Sequence, residues 1–276
     1  MTTPASFADL SLPSPVAEAL AARGYTAATP VQAAVVASGL AGRDLLVSAP
    51  TGSGKTVAFG TLIAETLLRP REDARERPRG APRALVVAPT RELANQVSQE
   101  LSWLLAPAKL SLAAFTGGTS VPGDLRRLRS GVDVAVGTPG RLVDLEKRGA
   151  LVLSAIESLV LDEADEMLDL GFREALEHLL GVAPKERRTL LFSATMPPDI
   201  TRLAATYLRE PMRVDARVKG AASGHADIEY LAHLVRPQDR LAAVVNVLLG
   251  NGGKAIVFCR TREGVGELHQ RLVDHG

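Results

Sequence analysis

The chain has 276 residues, 46% of them hydrophobic and 4% aromatic, and its 32 basic and 31 acidic residues leave a net charge of +1. That length predicts about two domains with a substantial core. The near-neutral balance excludes a polybasic nucleic-acid binder. The scarcity of rings excludes a surface that stacks successive bases, so any nucleic-acid contact must be a local patch that holds the backbone. No run approaches the roughly 18 consecutive apolar residues of a membrane span. The stretch Met1–Asp9 lacks the basic and then apolar regions of a secretory leader. A single cysteine, Cys259, leaves no internal disulfide framework and suits a cytoplasmic protein.

From residue 44 onward, short apolar runs alternate with amphipathic stretches. Candidate strands are Asp44–Ser48, Arg83–Ala88, Leu110–Phe115, Asp133–Val136, Ile156–Leu161 and Thr189–Phe192. The candidate helices between them are Lys55–Leu68, Arg91–Leu105, Gly123–Ser130, Pro139–Arg148, Phe172–Gly181 and Pro198–Leu208. Strands that are apolar throughout predict a parallel sheet covered on both faces, and the strand–helix rhythm predicts an α/β doubly wound domain. The charged, proline-bearing segment Arg69–Arg83 reads as a solvated surface loop. Residues 1–215 thus form the first domain. Residues 216–227, small and glycine-bearing, read as a linker. Residues 228–276 read as the opening of a second α/β domain, with strands at Ile228–Val235 and Lys254–Cys259 and helices at Gln238–Leu249 and Glu263–Asp274. Two strands cannot close such a sheet, so this segment is expected to be an incomplete domain.

Two runs carry chemistry. In Ala49-Pro50-Thr51-Gly52-Ser53-Gly54-Lys55-Thr56, small residues let the backbone curl its N–H groups toward phosphate oxygens at a helix N-terminus. Lys55 adds a charge for the β- and γ-phosphates, and Thr56 offers a hydroxyl to magnesium. In Val160-Leu-Asp-Glu-Ala-Asp165, an apolar strand ends on Asp162, at the sheet edge where open α/β folds bind ligands. Asp162 suits magnesium, and Glu163 suits the polarisation of an attacking water. Together these residues predict an ATP-using protein.

With Asp162-Glu-Ala-Asp165 and Ala49–Thr56 in place, the chain resembles the DEAD-box family of ATP-dependent RNA helicases, and further motifs stand in the family's order. Phe7, Gly24-Tyr25 and Thr29-Pro-Val-Gln32 resemble the Q motif, which implies that Gln32 reads the adenine edge and that Phe7 packs near the base. Pro89-Thr90-Arg91-Glu-Leu-Ala94, Gly117-Gly118 and Thr138-Pro-Gly140-Arg141 resemble the elements that grip the RNA backbone. Ser193-Ala-Thr195 resembles the motif linking hydrolysis to strand separation, with Asp165 in interdomain coupling. Ile256-Val-Phe258 resembles the start of a second-domain motif. The resemblance implies a RecA-like fold, with ATP and Mg2+ as cofactors and RNA as partner. The residues of the RNA set agree, since arginine, threonine hydroxyls and helix N–H groups contact phosphate and sugar without reading sequence.

The family's arginine-finger pattern, His-Arg-x-Gly-Arg-x-x-Arg, does not occur in the sequence. An arginine finger is worth roughly 10³–10⁵ in turnover. The chain is therefore expected to bind ATP and RNA weakly and to hydrolyse little. A non-catalytic RNA clamp or scaffold and a DNA helicase are the alternatives. Trp103 reads as core packing, and Cys259 as a small core residue.

Overall fold

The structure is a computed structural model and describes residues 5–37, 40, 42–69, 77–216, 229 and 231–274. It divides the chain into two compact units, Met1–Gly220 and Ala221–Gly276.

The first unit is built on a seven-stranded sheet of β1 (Leu45–Ser48), β2 (Ala84–Val87), β3 (Leu112–Phe115), β4 (Val134–Gly137), β5 (Ser158–Leu161), β6 (Arg188–Ser193) and β7 (Met212–Asp215). All pairings are parallel, in the order β3-β4-β2-β5-β6-β1-β7. Its helices are α1 (Ser14–Ala22), α2 (Pro30–Val36), α3 (Lys55–Leu67), α4 (Arg91–Leu105), α5 (Val121–Arg129), α6 (Pro139–Lys147), α7 (Ala164–Asp169), α8 (Arg173–Val182) and α9 (Pro198–Tyr207). This is the expected α/β doubly wound architecture.

The alternation of side chains along each strand decides which helices cover which face. Leu45, Val47, Ala84, Val86, Val134 and Val136 pack with α1 to α4. Leu46, Leu85, Val87, Ala135, Leu159 and Leu161 pack with α5 to α9. Both faces are dry, so β1, β2, β4, β5 and β6 are buried at every position. Each buried Leu or Val contributes about 1.5–3 kcal/mol relative to exposure, which holds the strand ends that carry the site.

Several expectations are corrected. The sequence reading placed no element at α1, α2, α7 or β7. The last is an edge strand whose residues alternate between half-buried and exposed, so it lacks the unbroken apolar run of its neighbours. The end of the Arg69–Arg83 loop is inserted and not solvated: Gly80, Ala81 and Pro82 are buried, and Val152 N–H donates to the Gly80 carbonyl at 2.8 Å. Gly80 sits at φ +77°, where a Cβ would lie 2.2 Å from the Ala150 carbonyl oxygen, so that insertion requires glycine.

The second unit contains α10 (Arg240–Gly250) and α11 (Arg262–Asp274). The expected strands at Ile228–Val235 and Lys254–Cys259 do not form among the described residues, and Ile256 and Phe258 are 82% and 90% exposed. A helix satisfies its own backbone, whereas a strand needs a neighbour, so apolar composition alone yields helices here and no sheet. Residues 217–228, which hold most of the expected linker, lie outside the described residues.

Candidate functional site

Every segment singled out from the first unit's sequence, the Gln32 and Phe7 region apart, leaves the C-terminal edge of the same sheet. The strand order sorts them. Loops after β1, β5 and β6 carry Ala49–Thr56, Asp162-Glu163 and Ser193–Thr195. Loops after β2, β3 and β4 carry Pro89–Arg91, Gly117-Gly118 and Thr138–Arg141. The two halves meet where β2 pairs with β5.

The loop between β1 and α3 is anchored at its start by Ala49 N–H, which donates to Ser193 O at 3.1 Å. Gly52 and Gly54 take left-handed backbones, φ +77° and +87°, which turn the chain into the first turn of α3. Ala49 and Lys55 are buried, Ser53, Gly54 and Thr56 half-buried, and Pro50, Thr51 and Gly52 exposed. Lys55 Nζ reaches Glu163 Oε1 at 2.7 Å and the Ala49 carbonyl at 3.4 Å. Thr51 Oγ1 donates to the same Glu163 oxygen at 2.9 Å. The lysine meant for phosphates and the carboxylate meant for water thus hold each other.

Asp162 is 2% exposed, and its Oδ1 is buried without a hydrogen-bond partner. Burial pushes its carboxyl up to about 7, Lys55 opposes the rise, and the neighbouring Glu163 adds to it. A buried carboxylate oxygen without a hydrogen-bond partner suits a hard cation with oxygen ligands, so the residues fit magnesium, with Asp162 and Thr56 as the groups that would hold it. Ser53 Oγ, also buried and unpartnered, fits a phosphate-facing role in the cradle. Glu163 itself is left-handed at φ 51°, a backbone that costs a non-glycine residue on the order of 1–2 kcal/mol and turns the strand abruptly into α7.

Gln32, 3% exposed, joins the α2 start to the phosphate loop: its Oε1 accepts from Thr29 N–H at 2.8 Å and its Nε2 donates to Gly54 O at 3.1 Å. Phe7 is 7% exposed and lies edge-on to Tyr25 at 6.5 Å. The structure therefore places Gln32 on the loop backbone and Phe7 inside the core cluster. Trp103 is half-buried and packs at the margin of the core cluster, stacked on Tyr25 at 5.7 Å with the Arg23 guanidinium 4.4 Å from its ring centre.

On the other half of the edge, Arg91 is exposed at the start of α4, and its guanidinium lies on the glycine pair. A Cβ at Gly118 would sit 2.2 Å from Arg91 Nη1, and one at Gly117 3.2 Å from Nη2. Pro89 is buried. The Thr90 hydroxyl caps α4 by accepting from Leu93 N–H at 3.2 Å. Thr138 is buried and Gly140 exposed. The Arg141 side chain is 9% exposed and bonded within the protein, to the Thr116 carbonyl, the Thr119 carbonyl and hydroxyl, and Asp124. Nearer the nucleotide half, Thr195 donates from N–H at 2.9 Å and from its hydroxyl at 2.7 Å to Asp165 Oδ2, while Ser193 is fully buried. Burial alone would raise the Asp165 carboxyl, but the hydrogen bonds to it, those of Thr195 foremost, together outweigh it and hold it below the usual carboxylate range.

A family model described as DEAD/DEAH box helicase matches residues 29–203, which hold all of these loops. The chain belongs to the DEAD/DEAH box helicase family. It is 40% identical over 273 residues to the DEAD-box ATP-dependent RNA helicase CshA of Geobacillus kaustophilus, covering 99% of this chain and 56% of the relative. It is 39% identical over 274 residues to DEAD-box ATP-dependent RNA helicase 9 of Oryza sativa, covering 95% and 41%. The crystal structure of a DEAD box protein from Methanococcus jannaschii superposes with a TM-score of 0.69 at 32% identity, covering 98% of this chain and 70% of that one. The chain spans about half the length of the curated relatives it matches.

Sequence reasoning missed one residue of this DEAD-box surface. Asp124 is completely buried, bonded to Arg141 and to Thr119, the residue that follows the glycine pair. Its spacing held a signal: Asp124 and Leu128 are four apart on α5 and share a face, so burial of Leu128 carries the carboxylate inward.

Proposed function

We propose that this chain is the nucleotide-binding and RNA-binding part of an ATP-dependent RNA helicase of the DEAD-box type, acting in the cytoplasm on RNA backbones and needing Mg2+. The observation that carries the reading is the shared sheet edge, where Asp162 and Glu163, paired with Lys55, follow β5 directly beside β2, the strand that leads to Arg91. Magnesium, when bound, would neutralise phosphate charge. The remaining work falls to the chain's residues. Thr56 and Asp162 would hold the ion, and the cradle N–H groups would orient the phosphates. Lys55 would leave Glu163 for the phosphate tail, and Glu163, released, would accept a proton from the attacking water. The Asp165–Thr195 bonds tie this half to the end of β6, a route for coupling nucleotide state to a second lobe.

The Lys55–Glu163 ion pair also supports low activity of this chain by itself, because the base is occupied until a phosphate draws the lysine away. The test is ATP hydrolysis by this chain with and without single-stranded RNA, beside Glu163→Gln and beside DNA of equal length. RNA-stimulated turnover, slow in the parent and lost by about 10²-fold or more in E163Q, is expected. Equal stimulation by DNA would favour a DNA helicase, and function retained in E163Q would favour an RNA scaffold. Turnover matching a two-lobed helicase would refute the restraint.

A further inference from the structure

Three elements that line the RNA-facing half of the edge converge on one buried carboxylate. Asp124 has no exposed side-chain surface. Its Oδ2 lies 3.1 Å from Arg141 Nε, and the Thr119 hydroxyl is 3.4 Å from the same oxygen. Its Oδ1 accepts from Arg127 Nη2 at 3.2 Å. Arg141, so held, spans the loop between β3 and α5: its Nε donates to the Thr116 carbonyl at 3.1 Å, and its Nη2 donates to the Thr119 carbonyl and, at 3.0 Å, to the Thr119 hydroxyl. Thr119 in turn donates to the Thr116 carbonyl at 2.8 Å, closing the turn on itself. Gly117 and Gly118 are the residues inside that clasp, and they carry the Arg91 guanidinium on their outer side.

From this geometry we infer that Asp124 is a positioning residue for RNA binding, and that Arg141 serves as the internal strut it positions and not as a phosphate ligand. The inference rests on the RNA reading above for its functional meaning. Its structural half stands on the contacts alone. A guanidinium that spends its fork on two carbonyls, a hydroxyl and a buried carboxylate has little surface left for a phosphate. What the strut supplies is a fixed Gly117-Gly118 backbone, against which Arg91 is set without the loss of loop entropy on binding. Gly118 at φ +79° can present its N–H only while the clasp keeps the turn closed.

Two measurements on the whole chain decide it. Hydrogen exchange of the amides from Thr116 to Ser120 is compared between the parent, Asp124→Asn, Arg141→Met and Thr119→Val, with the β1 and β6 amides as the fold control. T119V removes the hydroxyl link without touching the buried charge, and so serves where D124N does not fold. Faster exchange confined to that loop is expected in every variant that folds, and unchanged exchange overturns the strut. Binding of a fluorescein-labelled oligouridylate is then followed against salt. A strut predicts at least tenfold weaker affinity with an unchanged salt slope, and losses in D124N and R141M that do not add in the double variant. A slope reduced by about 0.7 in R141M would make Arg141 a phosphate ligand and overturn the inference. Failure of the parent to bind the oligouridylate would remove the RNA reading, while the exchange result would still decide the strut.

Discussion

Replacing Asp162 with Asn should abolish hydrolysis and yet stabilise the protein, increasingly so as pH rises. The carboxyl is raised from 3.8 to about 7 by burial, only partly relieved by Lys55. In the pH window between those values the folded chain holds a proton that the unfolded chain has released. Stability is therefore fully retained below the unfolded value and falls as pH rises toward 7. At 1.36 kcal/mol per pH unit, the full interval corresponds to roughly 4 kcal/mol as an upper bound. More than a third of that is already lost at pH 5, leaving a decline of roughly 3 kcal/mol between pH 5 and pH 8.5. An asparagine has no such titration, and whatever a buried amide costs is the same at both pH values. The advantage of D162N over the parent should thus grow by up to about 3 kcal/mol across that interval, or on the order of 6–12 °C in melting temperature for a unit this size. Urea unfolding in chelator, followed by the fluorescence of the single tryptophan, Trp103, reads the first unit directly. A difference that stays flat with pH would refute the reasoning, because it would mean that Asp162 is ionised at no cost in its pocket.

Gly137→Ala at the end of β4 sets a Cβ 2.5 Å from the Phe115 carbonyl oxygen, a backbone atom that cannot yield, and chemical denaturation should show a loss of about 2–4 kcal/mol. Gly54→Ala combines a φ of +87° with a Cβ 2.4 Å from Gln32 Nε2; the affinity for a fluorescent ATP analogue should fall at least tenfold while the fold survives, and unchanged affinity would show that the Gln32–Gly54 bond does not shape the cradle. Asp133 is raised by burial, but the Ser111 amide and hydroxyl and the Arg77 ion pair outweigh this and hold it below its ordinary value. Its contribution is therefore present above the unfolded value and lost as pH falls through the folded one. Asp133→Asn should lower the melting temperature near neutrality, and the difference from the parent should shrink as pH is lowered through the carboxylate range.

The strands of the nucleotide half were legible because a parallel sheet buried on both faces writes itself as unbroken runs such as Leu45-Leu-Val47 and Leu159-Val-Leu161. The phosphate loop was legible for a related reason: its glycines and its lysine are local requirements of backbone and charge. What failed to show was whatever depends on a partner distant in sequence. Lys254–Cys259 has strand composition, yet composition supplies no neighbour to pair with. Arg141 at a helix start looks the same whether it faces solvent or is drawn inward, and the residue that decides it, Asp124, reads alone as an ordinary acid near a helix N-terminus. The adenine role of Gln32 is what the resemblance to the Q motif implies, and its bond to the phosphate loop is a separate matter. Its bond to Gly54 depends on how α2 packs against α3, which no local pattern encodes.

The position of β1 has a consequence for how such a chain is made. Leu45 is among the earlier residues synthesised, yet its partners on either side are Leu190 and Met212. On the ribosome, β2 to β5 can assemble their four-stranded portion while β1 waits, and the start of the phosphate loop is not yet anchored to a neighbouring strand. Ala49 gains its anchor on Ser193 O only after β6 has emerged, and β1 is flanked on both sides only after β7. Nucleotide competence is thus acquired in the last steps of translating this unit, and a nascent chain paused before residue 193 would carry the full lysine–threonine sequence of the cradle without the strand that fixes it.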